Sequence, residues 1–215
     1  MLFTLLTIFG SSFMLALSGA LMPGPVLTVT ISESSRRGAV AGPLMILGHA
    51  ILELLLVIGL LAGLAPLLAR DDVFIFISLA GGAILLWMAY SMFKNLPALQ
   101  LAREADEGKP RNLVLAGILL SIANPYWLIW WATIGLGYIM YSVKYGIPGI
   151  TAFFLGHILA DLTWYSIISF GIAKGRRFFN DRSYRRLIGA CATFLVIFSG
   201  YFFYSGVNKI YPSLL

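Results

Sequence analysis

Residues 39–68 read AVAGPLMILGHAILELLLVIGLLAGLAPLL, an apolar run interrupted near its middle by one histidine, His49, and one acid, Glu53. A helix needs about 20 predominantly apolar residues to cross the hydrocarbon core of a bilayer, and this run is long enough. Strands of a membrane barrel are about ten residues long and alternate polar with apolar side chains, which this run does not. The run therefore predicts a membrane-spanning helix that carries two ionisable side chains at depth.

The composition of the whole chain also predicts a membrane protein. Of its 215 residues, 60% are hydrophobic and 11% are charged, whereas a soluble domain carries about 25% charged residues. The single cysteine excludes an intramolecular disulfide and a cysteine-cluster metal site. The sequence contains no GxxxxGK[ST] phosphate-binding loop, so no nucleotide and no other cofactor is expected.

Six long apolar segments follow one another along the chain, and each is long enough to span a bilayer. They run over residues 2–33, 39–68, 73–94, 112–142, 147–173 and 185–210. A polar stretch at 96–111 separates the first three from the last three. The sequence therefore predicts an all-α integral membrane protein with six transmembrane helices in one domain, residues 1–215, divided into one unit at 1–95 and another at 112–215.

The positive charges predict the orientation of these helices. With six spans, both termini share one side, which holds Arg70, Lys144 and Lys209, and the remaining Lys and Arg residues lie on the other. Loops rich in positive charge stay in the cytoplasm, so both termini are expected to be extracytoplasmic in the cytoplasmic (inner) membrane. The predicted cytoplasmic loops are 34–38, 95–111 and 174–184. The net charge of +6 then reflects topology, and no nucleic-acid partner is expected.

The two halves share a pattern. GHAILE at 48–53 matches GHILAD at 156–161, and each motif follows a glycine ten residues upstream, Gly38 or Gly146. Breaks that contain proline, MPGP at 22–25 and NPY at 124–126, fall in the first helix of each half. Three helices is an odd number, so the second half enters the membrane in the opposite sense. This pattern predicts two inverted-topology three-helix repeats, an architecture frequent in secondary transporters.

The proline breaks have two interpretations. Proline lacks an N–H and disrupts a helix, and irregular backbone at membrane depth is tolerated only where it is buried in protein or lines a wet cavity. The break is either a simple kink or a discontinuous helix whose N-terminal N–H groups meet a substrate carboxylate. The second interpretation places a substrate site at Pro23, Gly24, Pro25, Asn124 and Pro125.

The histidine–acid pairs, His49 with Glu53 and His157 with Asp161, are the other candidate site. Residues four apart share a helix face, and an ionisable residue near the bilayer centre usually faces the bundle interior. The pairs could form packing hydrogen bonds, carry protons through all four residues, or bind a substrate ammonium at Glu53 or Asp161. Our first expectation is that these residues hold no metal ion. The alternative is a divalent-cation transporter, because two imidazoles and two carboxylates form a donor set for Zn²⁺ or Mn²⁺.

The aromatic residues after the second break have a plainer interpretation. Trp127, Trp130 and Trp131 are typical of an interfacial aromatic belt, which we favour over a pocket wall. No HExxH motif occurs, so an intramembrane enzyme is not expected.

The stretch GALMPGPVLTVTISESSRRGAVAGPLMILGHAILELLLVIGL at 19–60 resembles the opening of the lysine-exporter (LysE/RhtB) family of amino-acid exporters. The segments GGAILLWMAYSMFK at 81–94 and LLSIANPYWLIWW at 119–131 also resemble that family, so the resemblance spans essentially the whole chain. One departure is Tyr126, where the family has a lysine after Asn-Pro.

This resemblance implies a secondary active transporter that exports amino acids or similar small metabolites by alternating access. Protons are the expected coupling ion. The expected partners are an amino-acid substrate and the lipid bilayer, and a homodimer is left open.

Overall fold

The structure is a computed structural model that describes residues 1–68, 70–98, 112–175 and 181–210. The described residues contain helices and no strand, so the all-α prediction is confirmed for them. Short π-helical segments span Leu60–Leu64 and Trp131–Gly135, and a 3₁₀ turn spans Leu96–Ala98. The α-helices are α1 (Leu2–Ala20), α2 (Pro25–Arg37), α3 (Ala41–Gly59), α4 (Ala65–Leu68), α5 (Asp71–Asn95), α6 (Leu113–Ile122), α7 (Pro125–Trp130), α8 (Leu136–Val143), α9 (Gly146–Gly175) and α10 (Asp181–Ile210).

Helices end and restart on either side of the two proline motifs. Helix α1 ends at Ala20 and α2 begins at Pro25, the first helical position, where a missing N–H costs no intrahelical hydrogen bond. Helix α6 ends at Ile122 and α7 begins at Pro125. The axis of α6 and the axis of the helical stretch after the break differ by 67°.

Five helical stretches are long and apolar enough to cross a membrane, and the bent pair that starts with α6 makes a sixth when it is counted as one span. The upper count equals the six predicted spans. Residues 34–37, predicted as a loop, are instead the last turn of α2, which ends at Gly38 with a φ of 81°. Residues 99–111 of the predicted loop 95–111 lie outside the described residues. Within the predicted loop 174–184, residues 174–175 instead end α9 and residues 181–184 begin α10, and only 176–180 lie outside the described residues.

The helices turn large apolar side chains outward and small or hydroxyl-bearing side chains inward. Phe3, Phe76 and Trp87 are exposed, as expected where lipid tails are the solvent. Three buried serines donate hydrogen bonds to carbonyl oxygens on other segments, an interaction that helps helices associate in bilayers. These bonds run from Ser12 to Phe153, from Ser169 to Ala39 and from Ser199 to Gly82, at 2.7–2.8 Å.

Three helix pairs make the most extensive contacts: α5 with α10, α1 with α9, and α3 with α6. Glycine allows the last two pairs to approach closely. A Cβ at Gly48 on α3 would lie 1.9 Å from the carbonyl oxygen of Val114, and one at Gly156 on α9 would lie 2.4 Å from that of Phe9. The glycine that starts each histidine–acid motif therefore sets that motif against the first helix of the other half.

The substitution Gly48→Ala should lower the unfolding midpoint of the detergent-purified protein, because the new Cβ overlaps the carbonyl oxygen of Val114. We expect a loss of about 1–3 kcal/mol, the usual cost of overpacking. Size-exclusion chromatography of heated samples measures the midpoint. Gly171→Ala is the matched control, since no described atom lies within 4 Å of a Cβ at that position. Equal midpoints for the two variants would contradict the close helix approach.

Candidate functional site

Four ionisable side chains meet where α3 contacts α9, and we call them the His–acid cluster: His49, Glu53, His157 and Asp161. The Nε2 atom of His49 lies 3.0 Å from Oε1 of Glu53, and that of His157 lies 3.1 Å from Oε2 of Glu53. Both Nε2 atoms lie 3.5 Å from Oδ2 of Asp161. Each histidine therefore contacts the acid of its own helix and the acid of the other helix.

Hydrogen bonds around Ser121 indicate where the ring of His49 carries a proton. The Ser121 hydroxyl donates to the carbonyl oxygen of Gly117 at 2.7 Å, and its oxygen also lies 2.7 Å from Nδ1 of His49. A hydroxyl has one hydrogen, so both contacts are satisfied together only when Nδ1 carries a proton. The other ring nitrogen, Nε2, lies 3.0 Å from Oε1 of Glu53, so the ring is held between Ser121 and a carboxyl group.

Two indole N–H groups donate hydrogen bonds to one oxygen of Glu53. Trp127 and Trp131 donate to its Oε1 atom at 2.9 and 2.8 Å. Trp131 begins the π-helical segment, a local widening of the helix that is common at functional sites. The Glu53 side chain is only 1% exposed, and a buried carboxylate is tolerated when hydrogen bonds and opposite charges compensate for lost hydration.

Asp161 is held much less tightly than Glu53. It accepts no hydrogen bond in the part of the chain that the structure describes, because both imidazole contacts are too long at 3.5 Å. Nδ1 of His157 is likewise buried without a hydrogen-bond partner among the described residues. The two acids of the cluster are therefore not equivalent, although their motifs are.

Trp130 is a further polar group without a hydrogen-bond partner among the described residues. Its side chain is buried, and within the described residues its Nε1–H has no acceptor. A Cβ at Gly19, near the end of α1, would lie 3.6 Å from this nitrogen. The donor therefore lies beside the last turn of α1, before the first break.

A partly open cavity connects these groups. The described lining falls into three groups: the His–acid cluster with Ser121 and Tyr165; the residues at and beside the breaks; and a wall of aromatic and aliphatic side chains. The second and third groups include Gly19, Met22, Pro23, Gly24, Asn124, Tyr126, Trp127, Trp130, Leu85, Phe194, Leu195 and Phe198.

The predicted break residues occupy different positions around this cavity. Pro23, Gly24 and Asn124 line it, and a Cβ at Gly24 would lie 3.5 Å from Nδ2 of Asn124, so the two breaks face each other. Pro25 is buried at the start of α2, outside the lining. Pro125 starts α7, and its side chain lies outside what the structure describes.

The N-termini of α2 and α7 differ in capping. Asn124 caps α7, because its Oδ1 accepts from the backbone N–H of Tyr126 at 3.2 Å. Gly24 precedes α2 and has no side chain that could cap it. The first N–H groups of a helix have no intrahelical acceptor, so α2 offers donors at the cavity that α7 has already used in part.

The four cluster residues also have the spacing of a possible metal site. One ligand atom from each lies within 4.8 Å of the others. Imidazole and carboxylate ligands suit Zn²⁺ or Mn²⁺, so the residue types fit such an ion. The contact between His49 and Glu53, at 3.0 Å, nevertheless also has the distance of a direct ion pair that needs no metal.

The prediction of an interfacial aromatic belt is wrong for Trp127, Trp130 and Trp131. All three indoles are buried and pack around the cluster or the cavity. Sequence analysis also missed Ser121, Phe194 and Phe198, which lie on apolar helix faces that look the same whether they meet lipid or protein. The sequence feature that could have indicated the buried tryptophans is their position directly after a proline break that carries the polar side chain of Asn124.

The substitution Trp131→Phe should destabilise the protein, because it removes a donor from a buried carboxylate. We expect a loss of about 1.5–3 kcal/mol, the usual value for a hydrogen bond to a charged group. Thermal unfolding in detergent measures it. Trp130→Phe is the matched control, since its N–H has no acceptor within the described residues. Equal losses for the two variants would contradict the assigned role of Trp131.

Comparison with known proteins gives a family for the chain. A family model described as LysE type translocator matches residues 17–206. The chain is 28% identical over 163 residues to the chemotactic transduction protein ChpE of Pseudomonas aeruginosa, a match that covers 74% of this chain and 79% of that protein. No solved structure matches the chain. Since the family match covers most of its length, the protein belongs to the LysE type translocator family and is a multi-pass membrane transporter.

Proposed function

We propose that the protein exports amino acids or similar small metabolites across the cytoplasmic membrane by proton-coupled secondary active transport. One observation carries the proposal. The same cavity is lined by Asp161 Oδ2 and Glu53 Oε2, which accept no hydrogen bond, and by Trp130, whose N–H has no acceptor, within the described residues. Unpaired buried polar groups are costly, and an amino-acid zwitterion supplies the missing partner for each of them.

The zwitterion has a preferred direction in this site. Its ammonium pairs with Asp161, because Glu53 already accepts from two indoles. Its carboxylate accepts from Trp130 and from the N-terminal N–H groups of α2, which lack a side-chain cap and carry partial positive charge. Asn124, which caps α7, positions the second break opposite the first.

Charge balance in the cluster supports coupling to protons. We assign two carboxylates and two imidazolium groups to the cluster, which then has no net charge. The zwitterion as a whole is neutral, but its carboxylate binds at the breaks, so its ammonium would add one positive charge to the cluster itself. Such a charge is costly unless another leaves. His157 is the residue we assign to release a proton, because its Nδ1 has no acceptor among the described residues to stabilise the charged ring. Substrate and proton would then bind alternately, as in an antiporter.

The packing supports the two inverted repeats. Gly38 and Gly146 both have positive φ angles, 81° and 66°. Gly48 of the first half contacts α6, the first helix of the second half, and Gly156 of the second half contacts α1, the first helix of the first half. The two contacts are therefore equivalent under the proposed repeat. Alternating access follows if one repeat rocks against the other around the His–acid cluster. The single domain over residues 1–215, with units at 1–95 and 112–215, is part of this proposal.

One ion pair supports the proposed six-span topology. Nζ of Lys209, at the end of α10, lies 3.1 Å from Asp71 at the start of α5. The end of the last helix and the loop before α5 therefore lie on one side, as an even number of spans requires. The extracytoplasmic location of that side rests on the positive charges of the other loops. A homodimer stays a prediction.

A divalent-cation transporter is not favoured. The donor atoms are close enough for an ion, but the chain matches a family model of LysE type translocators over most of its length. The hydrogen bonds from Trp127 and Trp131 already occupy Oε1 of Glu53, which would have to be freed to bind an ion.

The proposed function is tested by counterflow of labelled amino acids into proteoliposomes, with and without an imposed pH gradient. We expect transport that the gradient drives. Asp161→Asn and Trp130→Phe should each raise the substrate concentration at half-saturation roughly tenfold or more, because each removes one hydrogen bond to a charged group.

Matched controls separate the site from general effects of substitution. Asp72→Asn changes an exposed acid outside the cavity, and Trp87→Phe changes an exposed indole. Both should transport like the wild type. The proposal fails if no amino acid moves in the wild type, or if the controls lose as much activity as the cavity variants.

A further inference from the structure

The wall of the cavity differs in chemistry from its polar end. Tyr126 of α7 and Phe198 of α10 meet edge to face, with ring centroids 5.5 Å apart. Phe194 stacks on Phe198 with centroids 4.5 Å apart. Leu85 of α5 and Leu195 of α10 are buried beside them and also line the cavity. We call these five residues the aromatic wall.

The aromatic wall contains no charged group, and the described cavity lining carries charge only in the His–acid cluster. A lysine, arginine or glutamate side chain in this cavity would therefore bring a charge to a surface without a partner for it. An unpaired charge in an apolar environment is costly, whereas apolar surface gains free energy in proportion to the area buried.

We propose that the cargo is an amino acid with an uncharged, bulky apolar side chain, which packs against the aromatic wall while its zwitterion is held at Asp161 and Trp130. This inference rests on the proposed function and goes further by naming the class of side chain. The cluster recognises what all amino acids share. The aromatic wall discriminates between them.

The ring contacts also indicate which residue of the aromatic wall contributes most to the preference for a large apolar side chain. Phe198 contacts both Tyr126 and Phe194, so its ring joins the part of the wall on α7 to the part on α10. Removing it should open space that a large apolar side chain no longer fills, with little effect on alanine. Phe198 is therefore the specificity-determining residue that we assign.

The test is counterflow of labelled glycine, alanine, leucine, phenylalanine, lysine and glutamate, each measured separately in proteoliposomes that contain the full chain. We expect the substrate concentration at half-saturation to fall by about fourfold for each methylene buried. The half-saturation concentrations of lysine and glutamate should exceed that of leucine by roughly tenfold or more. Phe198→Ala should reduce the preference for leucine over alanine by roughly tenfold, with alanine little changed.

Phe203→Ala is the matched control, because Phe203 lies on the same helix and packs against Gly82, outside the described cavity lining. It should keep the preference for leucine over alanine. If Phe198→Ala fails to fold, Phe198→Leu still tests the wall, since it should weaken phenylalanine more than leucine.

The outcomes separate this inference from the proposed function. Transport of lysine or glutamate in preference to leucine and phenylalanine would overturn the apolar cargo and leave amino-acid export standing. An unchanged leucine preference in Phe198→Ala would also overturn the inference. Transport of no amino acid would overturn both.

Discussion

Charge cannot be buried in a bilayer unless it is balanced, and this constraint organises the whole centre of the protein. The four members of the His–acid cluster come from two helices, and each histidine contacts both acids. Separating α3 from α9 would leave charged groups in a medium where each costs several kcal/mol. The close approach at Gly48 and Gly156 and the indole donors around Glu53 all serve to keep the cluster together.

The two halves that we propose as repeats share glycine contacts, but the polar groups around these contacts differ. Ser121 lies seven residues after Val114, the contact of Gly48, and it accepts from His49. Seven residues after Phe9, the contact of Gly156, the chain has Ala16, which lines the cavity but offers no hydroxyl to His157. Asn124 caps one broken helix, whereas Gly24 leaves the other uncapped. Two inverted repeats can rock between two states of a transporter. The differences between the halves leave unpaired polar groups at one end of the cavity, where the proposed substrate binds.

The sequence predicted the helices and the partners of the cluster because those features follow from local spacing. Residues four apart share a helix face, so His49 had to face the same way as Glu53, and the repeat of the motif indicated that His157 and Asp161 belong to one site. The roles of Trp127 and Trp131 could not be predicted in the same way. In a membrane helix both the lipid face and the buried face are apolar, so hydrophobic periodicity does not separate an indole in a belt from one that donates to a buried acid.

The difference between the two acids was also beyond reach of the sequence. Glu53 and Asp161 occupy equivalent positions in matched motifs, and only the three-dimensional packing shows that indoles reach one and not the other. The last turn of α2 was assigned to a loop for a related reason. Its serines and arginines look like loop residues, yet they continue a helix that buries Ser34 and Ser35.

The most direct test of the account is to count the protons released when a transported amino acid binds to the purified protein. The measurement uses a weakly buffered, chelator-treated sample with a pH-sensitive dye. A charge-balanced cluster predicts release of about one proton for each ammonium bound, without any divalent cation. Binding without proton release, or binding that appears only after zinc is added, would contradict the account.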